Sequence, residues 1–131
     1  MSGTYLLDAN VLIALVVTDH EHHHRASRWF TTVDRVAITP TIEGALVRFT
    51  VRMGAGQDAA TSVLSGMYAT TRCEFWPDSL SYADADLSHV IGHRQVTDAY
   101  LAATAAAHGA RLATFDGALA RTIGDTVHLV P

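Results

Sequence analysis

The stretch Thr4-Tyr5-Leu6-Leu7-Asp8-Ala9-Asn10-Val11-Leu12-Ile13-Ala14-Leu15 decides the fold. A short apolar run climbs to a carboxylate, and a helical pattern begins at once. That order puts Asp8 at the carboxyl end of a strand, where open α/β sheets place their binding crevices. Three later carboxylates stand at comparable junctions: Glu43 near the start of an apolar helix, Asp98 opening another, and Asp116 just after a strand. The expectation is one acidic pocket, assembled from distant parts of the chain, that holds a hard divalent metal.

Working outward, residues 10–17 predict a helix that is apolar almost all round and therefore buried. Asp19 breaks the pattern, and His20-Glu21-His22-His23-His24-Arg25 leads into a second helix carrying Trp29 and Phe30, read as core or partner-facing residues. Val36-Ala37-Ile38 predicts a short buried strand. Thr39 as cap and Pro40 in the first turn start a helix that ends at Gly54, and residues 58–68 predict another. Glu74-Phe75-Trp76 reads as a brief strand closed by Pro77, and residues 80–91 as a short helix containing Asp84 and Asp86. A loop over 92–96 precedes Thr97, which is expected to cap an alanine-rich helix over 98–108. Strand 111–115, the turn Asp116-Gly117, helix 118–123 and strand 127–130 complete the chain. Short apolar strands alternating with helices predict a three-layer α/β/α domain with a central, mostly parallel sheet of four to five strands.

The 131 residues fit a single domain, and a chain this size buries roughly 68% of its unfolded surface. The only cysteine, Cys73, excludes an internal disulfide and suggests a reducing compartment. No signal peptide is apparent, and no apolar stretch reaches the ~18 residues of a membrane helix. A cytoplasmic protein with no membrane partner is expected. The formal net charge of −4 argues against a broad electrostatic grip on nucleic acid. All nine of its Lys and Arg residues are arginine; there is no lysine.

Each carboxylate has a structural use that competes with a chemical one. Asp98 at a helix start gains roughly 0.3–1 kcal/mol from the macrodipole. Asp116 before Gly117 suits a turn, and Asp8 suits a helix cap. Glu43 is harder to place, since it sits among Ile42, Gly44, Ala45 and Leu46 with no lysine to pair it and with Arg48 on a different helix face. A buried carboxylate needs a partner or a metal. Were the four to converge, each pair at ~4 Å would cost about 4 kcal/mol at an effective dielectric near 20, so only a cation could hold them together. An all-oxygen ligand set selects Mg²⁺ or Mn²⁺ over zinc. His20 and His24, four apart, form the rival zinc site, without a clear third ligand.

Four segments, Leu7-Asp8-Ala9-Asn10-Val11-Leu12-Ile13, Thr41-Ile42-Glu43, Val96-Thr97-Asp98-Ala99-Tyr100-Leu101 and Ala113-Thr114-Phe115-Asp116, together resemble the PIN-domain family. More narrowly, they resemble the VapC-type toxins of bacterial toxin–antitoxin pairs. The resemblance spans essentially the whole chain and implies one PIN-like domain over residues 1–131. It implies a Mg²⁺- or Mn²⁺-dependent endoribonuclease whose metal is held by Asp8, Glu43, Asp98 and Asp116. Asn10, Thr114 and Arg94 would be supporting or substrate contacts. The family pattern often adds an acid shortly after the fourth, and Gly117-Ala118-Leu119-Ala120 supplies none. A homodimer, a VapB-type antitoxin with a basic tail, and a structured RNA substrate such as tRNA or ribosomal RNA are further implications. Hydrolysis by activated water would leave a 5′-phosphate and a 3′-hydroxyl.

Two other functions compete. An aspartate-nucleophile phosphatase or phospho-receiver also ends its first strand in aspartate, but normally uses a lysine on the phosphoryl group, and this chain has none. A non-catalytic module could use the acidic groove only to bind a basic partner.

Overall fold

The computed structural model describes residues 3–131. Strands β1 (Thr4–Leu7), β2 (Arg35–Ile38), β3 (Cys73–Phe75), β4 (Arg111–Thr114) and β5 (Val127–Leu129) form one sheet in the order β3-β2-β1-β4-β5, with every pairing parallel. The helices are α1 (Ala9–Val16), α2 (His23–Phe30), α3 (Pro40–Arg52), α4 (Gln57–Tyr68), α5 (Val96–Ala107) and α6 (Gly117–Ile123). Leu6, Leu7, Val36, Ala37, Ile38, Leu112 and Ala113 are fully buried. A parallel sheet covered on both faces demands such unbroken apolar runs.

The chain moves outward from β1 to β2 and β3, then crosses back to β4 and on to β5. Right-handed crossovers then put α1 to α4 on one face and α5 and α6 on the other. Packing agrees: α1 lies against α2 and α3, α3 against α4, α5 against β1 and β4, and α6 against β5. The reversal between β1 and β4 opens a crevice at the carboxyl ends of these two strands. The small side chains of α5 let it sit close to the sheet, burying Ala99, Ala102 and Ala105 with Leu101. No helix among the described residues is long and apolar enough to cross a membrane.

Four local expectations need correction. Residues 80–91 hold turns, not a helix. There Ser81 Oγ accepts from Ala83 N, and Asp86 Oδ1 accepts from both the amide and the hydroxyl of Ser88. Such local bonds compete with the helical ladder, and Tyr82 stacks on Tyr100 at 4.4 Å to pin the segment to α5. Helix α5 begins at Val96, after a 3-10 turn over His93–Gln95, so Thr97 lies inside it and caps nothing. Helix α2 begins at His23, leaving His20 outside and separating it from His24. Finally, Thr39 stands at the cap position of α3 but its side chain makes no capping bond.

That cap comes from elsewhere in the chain. Asp78 Oδ2, beyond β3, accepts from both Thr41 N (2.9 Å) and Thr41 Oγ1 (2.8 Å). Asp78→Ala is therefore expected to cost about 1 kcal/mol of stability, as loss of a helix cap does, read by denaturant unfolding.

Candidate active site

Asp8 follows β1 directly and is 8% exposed. Its backbone N–H continues the ladder to Ala113 O (3.0 Å), and its side chain caps α1 through Ala9 N (2.7 Å). The other carboxylate oxygen accepts from the Thr114 hydroxyl at 2.9 Å. Burial raises the Asp8 pKa and Asp116 adds to the rise, against the two hydrogen bonds that lower it. Asp116 caps α6 through Leu119 N (3.1 Å), and its own N–H donates to Thr114 Oγ1 (3.1 Å). Thr114, 1% exposed, thus ties the two aspartates together. Asp98 lies in the first turn of α5 and meets no hydrogen-bond donor among the described residues. Burial, then the charges of Asp8 and Asp116, push its pKa up to about 6.

These three carboxylates share one cavity of about 280 Å³ with Asn10, Thr41 and Arg48. Capping and convergence coexist: Asp8 and Asp116 each cap a helix and each line the cavity. Thr41, Ala45 and Arg48 recur at i, i+4 and i+7 along one face of α3. The Arg48 guanidinium makes no ion pair or hydrogen bond among the described residues. Arg48 does lie on a different helix face from Glu43, as expected from the sequence, and the spacing of 41, 45 and 48 carried the further signal that this face meets the acids.

Glu43 does not join them. It faces α4, its Oε2 accepts from the Tyr68 hydroxyl at 2.8 Å, and it lines a separate cavity with Pro40, Val47 and Leu64. Successive helical residues turn by 100°, so Glu43 cannot share the face of Thr41 and Arg48. The phenol supplies the partner that the carboxylate needs. Burial and Glu43 push the Tyr68 pKa well above its ordinary value, so the phenol stays a donor. Tyr68→Phe is expected to cost roughly 1–3 kcal/mol by leaving that carboxylate without its donor. Catalytic rates in the folded variant should stay within a few-fold of wild type. Equal rates for Glu43→Gln would confirm that the carboxylate serves the α3–α4 packing.

The three aspartates line one cavity without closing into a metal-holding group: among the described residues no three or more His, Cys, Asp or Glu side chains form one. This applies equally to the His20 and His24 zinc alternative. His20 Nδ1 instead accepts from His22 N at 3.0 Å, and His23 Nδ1 bonds Ala14 O. Arg94 is exposed in the 3-10 turn and lines none of the acidic cavity. Trp29 is core, edge-on to Tyr5 and stacked with His128.

The PIN domain family model matches residues 5–124. This chain is a PIN-domain protein. Within the family it belongs to the VapC type: it is 52% identical over 129 residues to Ribonuclease VapC29 of Mycobacterium tuberculosis, covering 98% of this chain and 97% of that protein. Ribonuclease VapC39 of the same species is 41% identical over 127 residues, covering 89% and 91% respectively. Among solved structures, the PIN domain here resembles M. tuberculosis VapC20, described as a sarcin-ricin loop cleaving toxin, with TM-score 0.69, 14% identity, and coverage of 98% of this chain and 100% of that one. It also resembles VapBC2 from Rickettsia felis bound to a promoter DNA fragment, with TM-score 0.63, 18% identity and coverage of 97% of each chain. The α/β fold expected from the sequence is the PIN fold.

Proposed function

We propose that the protein is the toxin of a VapBC-type pair, an endoribonuclease that hydrolyses RNA with Mg²⁺ or Mn²⁺ held by Asp8, Asp98 and Asp116. The observation that carries this reading is the convergence, on one cavity at the sheet's switch point, of those carboxylates and Arg48, which has no ion pair among the described residues. The ribonuclease names of its relatives support the substrate class.

The donor set fits such an ion. Magnesium takes oxygen ligands, usually one or two carboxylates, and keeps several waters, so it does not require a closed shell of side chains. Burial raises the Asp98 pKa most, and the charges of Asp8 and Asp116, which add to the rise, are what a dication would relieve. When bound, the metal would supply an activated water and screen charge developing at phosphorus. The chain's own residues do the rest. Thr114 and Ala9 N hold the Asp8 carboxylate in one orientation. Arg48, across the cavity, offers a planar fork of donors to a phosphate. Asn10 can donate to or accept from a sugar or base edge at the rim.

A structured RNA, such as a tRNA or ribosomal RNA loop, suits a chain with so little positive charge, since shape must supply what charge does not. A basic segment of a VapB-type antitoxin would be drawn to the acidic cavity. We place the protein in the cytoplasm and as a homodimer on family grounds. Purified protein should cleave RNA with Mg²⁺ or Mn²⁺, stop on chelation, and leave 5′-phosphate ends. Ends bearing 2′,3′-cyclic phosphate would reject hydrolysis by water. Tight binding of basic peptides without any cleavage would instead favour the non-catalytic module.

A further inference from the structure

Beside the acidic cavity lies a second one, of about 520 Å³, whose lining is Asn10, His20, Glu21, His22 and Phe115. Asn10 belongs to both. Phe115 immediately precedes Asp116, and Asn10 is two residues past Asp8, so both cavities are built from the same two strand ends. Three of the five lining residues are flat rings. His22 and Phe115 lie 5.1 Å apart between centroids, and His20 lies 5.8 Å from His22.

These rings are held in place from behind. His20 is fixed by the amide of His22. The Arg25 guanidinium lies 4.6 Å from the Phe115 centroid, and its Nη2 and Nε donate to the carbonyls of Val130 (2.6 Å) and Pro131 (3.1 Å). Arg25 is not part of the cavity's lining, so it buttresses Phe115 and leaves ring surface turned toward the cavity. None of these rings is among the buried core residues, whose aromatics are Trp29, Trp76 and Tyr100, although Phe115 packs against that core from outside.

We infer that this cavity is a stacking subsite for one unpaired base of the RNA, next to the phosphate to be cut. This rests on the ribonuclease reading and adds to it the contact that orders the strand. Half-exposed rings in a wide cavity suit a nucleobase face, because every base has a π-surface and stacking tolerates any sequence. Glu21 and Asn10 add hydrogen-bonding groups within reach of a base edge. A base held there places its own backbone phosphate beside Asp8 and Asp116. The same arrangement explains how a protein of net charge −4 retains a single strand: it grips a base where a cationic groove would grip the backbone.

The test uses a short single-stranded RNA with 2-aminopurine placed at each position in turn. Binding is measured on the Asp98→Asn protein so that the strand survives; Asp98 does not line the second cavity. One position should lose fluorescence on binding, as a stacked base does. Adding Phe115→Ala should abolish that quench and weaken binding roughly tenfold or more. Phe115→Trp should restore both, with its own emission quenched by the base. His22→Ala, on a side chain outside the core, should reproduce the loss if Phe115→Ala folds poorly. Position-independent fluorescence, affinity unchanged in both alanine variants, or no binding of the strand would overturn the subsite. Wild type that cleaves RNA without a position-specific quench would sink the subsite and spare the ribonuclease. A clear quench without cleavage by wild type would do the reverse.

Discussion

Asp98→Asn is expected to lose RNA cleavage by at least about a hundredfold, since groups that merely support metal ligands already cost 10–100-fold. Its metal-free form should melt no lower than wild type. Three carboxylates share the cavity, and Asp98 alone among them meets no hydrogen-bond donor among the described residues to offset its charge. Neutralising it removes repulsion without removing a bond. The pH dependence follows with a definite sign. The Asp98 pKa is about 6 in the folded chain against an ordinary 3.8. Between those values the folded state holds more protons than the unfolded one, so stability falls as pH rises through that window. Below it the penalty is absent, and above it the penalty is complete. Asp8, also raised, acts in the same direction. Melting temperatures of the chelated protein from acid to neutral pH should show this fall, and Asp98→Asn should flatten it. Added Mn²⁺ should raise the wild-type melting temperature at neutral pH by mass action, with a smaller effect under acid conditions, where protons compete for the ligands. A variant that melts far lower than wild type would instead assign Asp98 to holding the start of α5.

Thr114→Val is the second large effect. The hydroxyl donates to Asp8 Oδ2 and accepts from Asp116 N, so one buried group orients two of the acids. Valine keeps the shape and removes both bonds. The Asp8 carboxylate then loses a bond that lowers its pKa, and the Asp116 amide loses its acceptor. Metal affinity or activity should drop 10–100-fold, the usual cost of losing a group that orients a ligand. Stability should fall by roughly 1–3 kcal/mol. Thr114→Ser retains the hydroxyl and should recover most of the affinity. A metal titration and a melt on the same samples separate the two effects, and an unchanged titration midpoint in Thr114→Val would remove Thr114 from the site.

The strand-to-carboxylate junctions were legible because they are local. Leu6-Leu7-Asp8 and Ala113-Thr114-Phe115-Asp116 each show an apolar run ending in an acid, and both acids do cap the helix that follows. The alanine-rich α5 was legible for the same reason, to within two residues at its start. What the sequence hid was rotation and distance. Glu43 sits two positions from Thr41 and two from Ala45 on the stripe that faces the acids, and two positions on a helix turn a side chain by about 200°. Its donor, Tyr68, lies 25 residues away and is no part of any lysine count. Of the two ways to satisfy a buried carboxylate, a partner or a metal, Glu43 has the partner, and it is a phenol where only lysine and arginine were weighed. Residues 80–91 failed otherwise: Ala, Leu and Asp permit a helix, but Ser81, Asp86 and Ser88 spend their side chains on their own backbone. The ring-lined cavity beside the acids was invisible because His20, His22 and Phe115 meet only after the chain has closed.

The most direct measurement is a Mn²⁺ titration of wild type, Asp98→Asn and Glu43→Gln, followed by the paramagnetic signal of the free ion. Wild type and Glu43→Gln should bind alike, and Asp98→Asn should bind at least about tenfold more weakly. Equal binding by wild type and Asp98→Asn, or loss of binding in Glu43→Gln alone, would contradict a metal site built from Asp8, Asp98 and Asp116.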